Sequence, residues 1–314
     1  MSIKKIILYS GLVTTLAVGV KLYNENKHYH KFMKEIERHE EDNDHSSSIV
    51  AHRGFSSLYV ENSMESVTYA FNSCCVDEIE IDVRLTEDNE LVLFHNKYIN
   101  LNCEGTGKVE DKTLEELETY HYNNCSFIPV NNESPDKKLI EKRNSISLDE
   151  TSDIATLDEV LTINSDKTLI IDVKINKNVD NMVIELGETL SNYNGNLNIK
   201  IQSSNDEFLE KMKRKYPNYF YQIVISTPND LSYLEDDYNG FVIKDYLLNN
   251  KIIDECLENG KSIYVWTINT YEDYVDLKNK INDNIENITI ISDNPDVMCY
   301  LNNCSDEKLK KLKK

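Results

Sequence analysis

The chain has 314 residues, with 34 lysines and arginines against 55 aspartates and glutamates, a formal net charge of −21. That balance excludes nucleic acid as a partner, because holding a phosphate backbone takes clustered basic residues, and it opposes contact of the bulk surface with anionic lipid. Any phosphate the protein handles must be met by local cations or a metal. Beyond the first ~45 residues, the length suits one α/β barrel of about 250 residues.

Residues 1–23 read as a targeting segment. Lys4-Lys5 precede a mostly apolar run over 6–20, which Lys21 closes. The run approaches the length of a bilayer span, its flanking lysines can snorkel, and Tyr23 suits an interface. The expectation is an uncleaved single-pass membrane anchor. The alternative is a cleaved signal peptide and a secreted or lumenal chain. Residues 24–47 are a polar linker that carries His28, His30, His39 and His45.

The barrel domain is expected over 48–302. Its first fifty residues hold the chemistry. Ile49-Val50-Ala51-His52-Arg53-Gly54 is a short apolar run that ends in a histidine, an arginine and a turn residue, and Glu61-Asn62-Ser63 follows. In Glu78-Ile79-Glu80-Ile81-Asp82-Val83 the period-2 alternation puts three acids on one face of a strand and three aliphatic residues on the other. Leu91-Val92-Leu93-Phe94-His95 is a third apolar run, and of seven histidines only His52 and His95 end such runs. The polar stretch between the second and third runs is too short for a helical crossover. A reversal at Asp88-Asn89 therefore makes a hairpin, with residue 82 expected opposite residue 95. Two histidines, an arginine and alternating acids are equipment for metal-assisted cleavage of a phosphodiester. They offer oxygen ligands for a hard cation, a guanidinium for phosphate, and a proton donor and acceptor.

Residues 97–156 break the pattern and read as an insertion after the third strand, a loop and short helix near 103–117 followed by a polar stretch. Cys103 and Cys125, two of seven cysteines, flank it and could pair in an oxidising lumen. Strand and helix then alternate. Strand-like runs lie at 48–52, 78–83, 91–95, 169–173, 197–201, 221–226, 240–244, 262–267 and 289–292. Helical stretches lie at 64–72, 157–161, 180–192, 206–215, 250–258 and 271–280. Such alternation with short loops predicts a parallel sheet covered by helices, closed as a TIM-type (β/α)8 barrel, with one of the nine runs peripheral. In that fold functional residues gather at carboxyl ends of strands, where His52, Asp82, His95, Asp172 and Trp266 fall. Residues 303–314 form a basic tail.

The ordered set of His52-Arg53-Gly54, Glu80-Ile81-Asp82, His95, Asp172-Val173-Lys174, Trp266-Thr267-Ile268-Asn269 and Asp293-Asn294-Pro295 resembles the glycerophosphodiester phosphodiesterase family. The likeness spans roughly residues 48–300. Departures from its pattern are Ser63 for threonine, Asn89 for glycine, Asn96 for aspartate and Asp172 for glutamate. The resemblance implies one divalent cation, Mg²⁺ or Ca²⁺, held by Glu80, Asp82 and Asp172, with Glu61 as a fourth ligand or a histidine-orienting group. It implies Arg53 and Lys174 on the substrate phosphate, Trp266 walling the glycerol pocket, His52 as general base and His95 as general acid. The substrate would be a glycerophosphodiester or lysolipid, and the products glycerol 3-phosphate and an alcohol such as choline or ethanolamine. The rival expectations are a phospholipase D-like enzyme acting on lysophospholipid or sphingolipid headgroups, and an inactive membrane-tethered binding module. The sequence leaves the oligomeric state open.

Overall fold

The computed structural model describes residues 47–103, 105–123 and 151–302. The expected anchor, the linker up to residue 46, the tail, and Cys125 with the middle of the insertion lie outside the described residues. In chain order the elements begin with β1 (Ser48–Ala51), α1 (Met64–Asn72), β2 (Glu78–Leu85) and β3 (Leu91–Leu93). The insertion contributes α2 (Leu114–Leu117), β4 (Tyr122–Asn123) and β5 (Thr151–Ser152), and α3 (Leu157–Val160) leads back to the barrel. The rest is β6 (Thr168–Val173), α4 (Val179–Asn192), β7 (Asn198–Ser203), α5 (Asp206–Lys215), β8 (Phe220–Ile225) and β9 (Gly240–Lys244). It closes with α6 (Asn250–Glu258), β10 (Ser262–Trp266), α7 (Tyr271–Ile281), β11 (Thr289–Ser292) and α8 (Pro295–Asn302).

Among the described residues the main sheet runs β1-β11-β10-β9-β8-β7-β6-β2-β3, and pairing of β1 with β2 closes it. Eight of these strands are parallel and make a TIM-like barrel; the ninth, β3, is antiparallel to β2 and hangs outside the ring. The peripheral run is therefore the third. The helix α8 was not visible as a periodic stretch, because Asp293-Asn294-Pro295 looks like a stop. Proline at a first helical position lacks only a donor that would have been orphaned anyway, so it opens a helix there.

Local chemistry sets these elements. Ser63 caps α1 by accepting from the Ser66 N–H at 3.1 Å, and Asn205 caps α5 through Phe208 N at 2.9 Å. Thr156 and Glu159 form a reciprocal capping box at α3. The β2–β3 reversal is tightened by Asn89, whose φ of 65° lies in the left-handed region that asparagine tolerates. Its register differs from expectation by one residue. Val83 pairs with Leu93 and Phe94 N donates to Asp82 O at 3.0 Å, so residue 82 faces 94, not 95. The turn centres on Asp88 alone, and a one-residue slip of that kind reverses which face each side chain occupies.

Apolar burial falls into three layers. The largest lies between strands and helices and takes Ile79, Ile81 and Val83 from β2. A small one, with Val50, Ile170, Val224, Val242, Tyr264 and Ile291, fills the barrel itself. A third, including Val92, Phe94, Ile99, Val109 and Tyr122, roots the insertion against β3. The acids of β2 point into the barrel as the alternation requires. The lowest of them, Glu78, is used at the floor, ion-paired to Lys200 at 2.7 Å and bonded by the Tyr264 hydroxyl at 3.1 Å. Only Glu80 and Asp82 reach the carboxyl end.

Candidate active site

At the end of β1 the chain turns sharply. Arg53 and Gly54 both have positive φ, 57° and 73°. A side chain at Gly54 would place Cβ 2.5 Å from Ser66 Oγ and 2.8 Å from Val67 N, so only glycine lets the turn pack against α1. This turn lays two amides on β2. Gly54 N donates to Glu80 O at 3.0 Å, and Arg53 N donates to the Glu80 carboxylate at 2.8 Å. Where β1 has ended, Asn62 takes its place beside β2. Its Oδ1 accepts from Asp82 N and its Nδ2 donates to Asp82 Oδ2, both at 2.9 Å.

Three buried carboxylates converge inside the mouth. Oxygen atoms of Glu80, Asp82 and Asp172 all lie within 4.8 Å of one another. β2 and β6 set this directly, since Asp82 and Asp172 are register partners. Two fixed cations sit among the acids. Lys174 Nζ lies 2.8 Å from Asp172 and 3.2 Å from Asp82, and the Arg53 guanidinium lies 2.9 Å from Glu61 and 3.3 Å from Asp82. Burial and repulsion by Asp82 push the Glu80 carboxyl up to about 8. Burial alone would raise Asp82 too, but Lys174, His95 and Arg53 hold it well below the carboxylate range.

The two histidines are in unlike surroundings. His52 Nδ1 lies 2.6 Å from Asp293 Oδ1, and its Nε2 lies 4.0 Å from Glu80. Burial and the Arg53 charge pull its pKa down, but the charge and hydrogen bond of Asp293, with Glu80, carry it above the ordinary value. Asp293 is held in turn by Asn269 Nδ2 at 2.6 Å. His95 comes from the loop after β3, a strand outside the closed ring, rather than from a barrel strand's carboxyl end, and this loop brings it to Asp82, Arg53 and Lys174. Burial lowers its pKa, with Arg53 and Lys174 adding to the fall against Asp82 and Glu61.

A buried acid triad, a carboxylate-backed histidine at the first strand's end and a second histidine beside it narrow the comparison with known proteins. The model of the glycerophosphoryl diester phosphodiesterase family matches residues 52–297. The chain belongs to this family. Its class is that of glycerophosphodiester phosphodiesterases. It is similar to the glycerophosphodiester phosphodiesterase of Caldanaerobacter subterraneus subsp. tengcongensis, 25% identical over 262 residues that cover 81% of this chain and 96% of that one. Among solved structures it resembles an Oleispira antarctica phosphodiesterase in complex with the product sn-glycerol-3-phosphate, with TM-score 0.64 and 23% identity over 82% of this chain and 97% of the other. It also resembles the Thermotoga maritima glycerophosphodiester phosphodiesterase, with TM-score 0.58 and 20% identity over 82% and 100%. These two likenesses show the shared fold.

The residues present suit a hard divalent cation. The four carboxyls of Glu61, Glu80, Asp82 and Asp172 outnumber the two cations Arg53 and Lys174, and the upward push on Glu80 is the mark of that crowding, which a divalent cation would relieve. Asp172 Oδ1 is buried with no hydrogen-bond partner. Carboxylate oxygens are what Mg²⁺ and Ca²⁺ take. The shorter Asp172 still reaches the cluster, where Gln202 Nε2 steadies its other oxygen at 2.9 Å. Glu61 is one step out, on Arg53 and, at 3.4 Å, on Asn102. Trp266 is half-buried on the opposite wall, its indole N–H bonded to Val242 O at 3.2 Å.

The candidate site also holds residues that sequence reasoning passed over. Asp293 was visible only as part of a closing motif, with no sign that it meets His52 across 241 positions. Arg84, the next inward residue of β2, is buried and donates to His95 O at 3.1 and 2.6 Å and to Lys174 O at 3.5 Å. It ties the backbones of two site residues together. The charge alternating with Val83 and Leu85 was a usable signal. Asn96, where the family pattern has aspartate, lies 3.2 Å from His95 Nδ1 and bonds Asn102.

Proposed function

We propose that the protein hydrolyses glycerophosphodiesters to glycerol 3-phosphate and an alcohol, with one divalent cation, Mg²⁺ or Ca²⁺, held by Glu80, Asp82 and Asp172. The observation that carries this is the convergence of those three carboxylates within 4.8 Å beside the His52–Asp293 pair. The product bound in the Oleispira phosphodiesterase supports glycerol 3-phosphate as the product here. When bound, the cation would supply positive charge for the phosphate oxygens as negative charge grows on them.

The chain's own groups do the rest. Arg53 and Lys174, set among the acids, would supply the positive charge that meets the substrate phosphate. Asp293 fixes the proton of His52 on Nδ1, which leaves Nε2 as the acceptor for the proton of an attacking water, or of the glycerol 2-hydroxyl, whose attack would give a cyclic phosphate that a water must then open to the monoester. His95 donates to the departing alcohol oxygen. Its burial makes it give up a proton readily, and the negative phosphate beside it in the complex holds that proton until the ester bond breaks. Among the described residues no helix is long and apolar enough to cross a membrane. We keep the anchor as a proposal for residues 1–23.

The test is turnover of a panel of glycerophosphodiesters and intact lysophospholipids with products identified by mass. Excess chelator should abolish turnover, and Mg²⁺ or Ca²⁺ should restore it. Full activity in chelator would remove the cation, and release of a cyclic phosphate from lysolipid would favour the phospholipase D-like alternative.

A further inference from the structure

His95 stands at one end of a hydrogen-bonded line that runs into the insertion. Its Nδ1 lies 3.2 Å from Asn96 Oδ1, Asn96 Nδ2 donates to Asn102 Oδ1 at 2.5 Å, and Asn102 Nδ2 donates to Glu61 Oε1 at 3.4 Å. The other oxygen of Glu61 accepts from Arg53 at 2.9 Å and closes the line. Asn102 follows the 3₁₀ turn Ile99–Leu101, and its backbone N–H donates to Ile99 O at 3.0 Å. Ile99 and Cys103 belong to the apolar layer that roots the insertion, and Asn102 is itself buried. Its carboxamide therefore stands on a fixed base. The backbone of His95 is held as well, by Arg84 on its carbonyl.

The order of donors and acceptors along this line is set from its far end. A carboxylate paired with arginine only accepts, whereas a carboxamide has one accepting and one donating end. Asn102 must turn its NH₂ to Glu61 and so its oxygen to Asn96. Asn96 must then turn its NH₂ to Asn102 and its oxygen to His95. A ring nitrogen that faces a carbonyl oxygen carries a proton, so one proton stays on Nδ1 and Nε2 is left to give one to substrate. The aspartate of the family pattern would accept on both oxygens and need no such guide. With asparagine at position 96, a flipped amide would set an NH₂ against Nδ1 and oppose a proton there. The ring would then hold its single proton on Nε2, and giving that proton to an alcohol would leave an imidazolate. Resting on the phosphodiesterase reading above, with His95 as proton donor, we propose that Asn102 is a positioning residue that orients the Asn96 amide and thereby keeps a His95 proton on Nδ1. The insertion thus supplies part of the acid and offsets the loss of a carboxylate next to the histidine.

The experiment reads the ring directly and then its chemistry, on the full chain supplied with Mg²⁺ or Ca²⁺. NMR of nitrogen-labelled histidine, with H95Q to assign the signals, should show His95 protonated on Nδ1 at a pH where the ring is neutral. A neutral ring protonated on Nε2 in the wild type overturns the inference without further variants. N102L, close to asparagine in shape, should shift His95 toward the Nε2–H form. It should also lower kcat/KM for a glycerophosphodiester with an alkyl leaving group by about 2- to 13-fold, the net worth of one hydrogen bond. Bis(4-nitrophenyl) phosphate, whose leaving group needs no proton, should lose much less, and equal losses on the two substrates would leave Asn102 a merely structural role and overturn the inference. N96D supplies the rescue. Its carboxylate accepts from Nδ1 in either orientation, so adding N102L to N96D should cost less than about twofold on the alkyl diester. The same loss in both backgrounds overturns the inference. Absence of wild-type turnover of every diester would defeat the phosphodiesterase reading and this inference with it, whereas turnover with the proton on Nε2 defeats the inference alone.

Discussion

Replacing Asp293 by asparagine should disable His52 while leaving the fold in place, and the surrounding hydrogen bonds say why. Asp293 accepts on both oxygens: from His52 Nδ1 at 2.6 Å and Ser56 Oγ at 3.2 Å on Oδ1, and from Asn269 Nδ2 at 2.6 Å on Oδ2. Asparagine has one acceptor and one donor end. Asn269 cannot flip to accommodate it, because its own Oδ1 accepts from Asp293 N at 2.8 Å and Ser292 Oγ at 3.2 Å. The new side chain must therefore keep its oxygen toward Asn269 and turn its NH₂ to His52. Nδ1 of His52 is then forced to accept, the ring proton moves to Nε2, and the nitrogen facing the site has no lone pair for a substrate proton.

The expected loss is that of a general base, about 10²–10⁴ in kcat/KM, or about 2.7–5.4 kcal/mol of barrier. Removing the carboxylate also takes away the main groups' upward pull on His52, so burial and Arg53 should carry its pKa down. Steady-state kinetics on a glycerophosphodiester across pH reads both effects, with circular dichroism as the check on folding. A folded D293N that loses less than about tenfold would refute the tautomer argument, and with it the assignment of His52 as base.

G54A should lower unfolding free energy by about 2–4 kcal/mol, from left-handed backbone strain plus overpacking against Ser66 and Val67, and a urea midpoint like the wild type's would show that the turn relaxes freely. In chelator the fold should lose stability as pH rises from 4.5 toward about 8, because Glu80 stays protonated when folded but ionises when unfolded. The unfolded chain then binds fewer protons, which makes the slope negative. His52 adds to this fall and His95 opposes it. Saturating Mg²⁺ or Ca²⁺ should remove the slope, and melting curves that rise with pH in chelator would contradict the charge balance drawn for the cluster. H95A should impair alkyl diesters far more than a nitrophenyl diester, whose leaving group needs no proton; equal losses on both would move the acid role elsewhere.

Barrel, helices and cluster were legible where periodicity alone decides the face. In β2 the alternation put Glu80 and Asp82 on one face and Ile79 and Ile81 on the other; Asp172 was named through the family resemblance, and the register of β2 with β6 is what sets it beside Asp82. What escaped were relations between residues far apart in the chain or dependent on one turn's exact length. Asp293 reaches His52 only because β11 neighbours β1 in the closed ring. Arg84 looks like any strand charge until β3 folds back and offers it the His95 carbonyl. The slip of one residue in the β2–β3 hairpin has the same origin, since the turn type set by Asn89 cannot be told from its composition. Glu78 was indistinguishable from Glu80 in sequence, and only the depth of the barrel assigns one to the floor and the other to the mouth.

The clustering of motif residues within fifty positions has a structural cause in one edge of β2. A strand edge inside a closed barrel must have its amides and carbonyls paired, because buried backbone groups left unpaired cost as much as lost hydrogen bonds. β1 pairs with β2 only through Val50 and Ala51. Above that point the edge is completed in turn by Gly54 N on Glu80 O, the Asn62 carboxamide on Asp82 N, Phe94 N on Asp82 O, and then β3. Each segment that repairs the edge also brings a candidate site residue beside the acids: Arg53 with the turn, Glu61 with Asn62, His95 with Phe94. Premature separation of β1 from β2 thus opens the gap through which the arginine and second histidine enter. The same backbone bonds that close the barrel set the spacing of the chemistry. A side chain can be exchanged at such a site more readily than a residue can be inserted or deleted between Gly54 and His95, because an insertion would shift both the pairing and the group it carries.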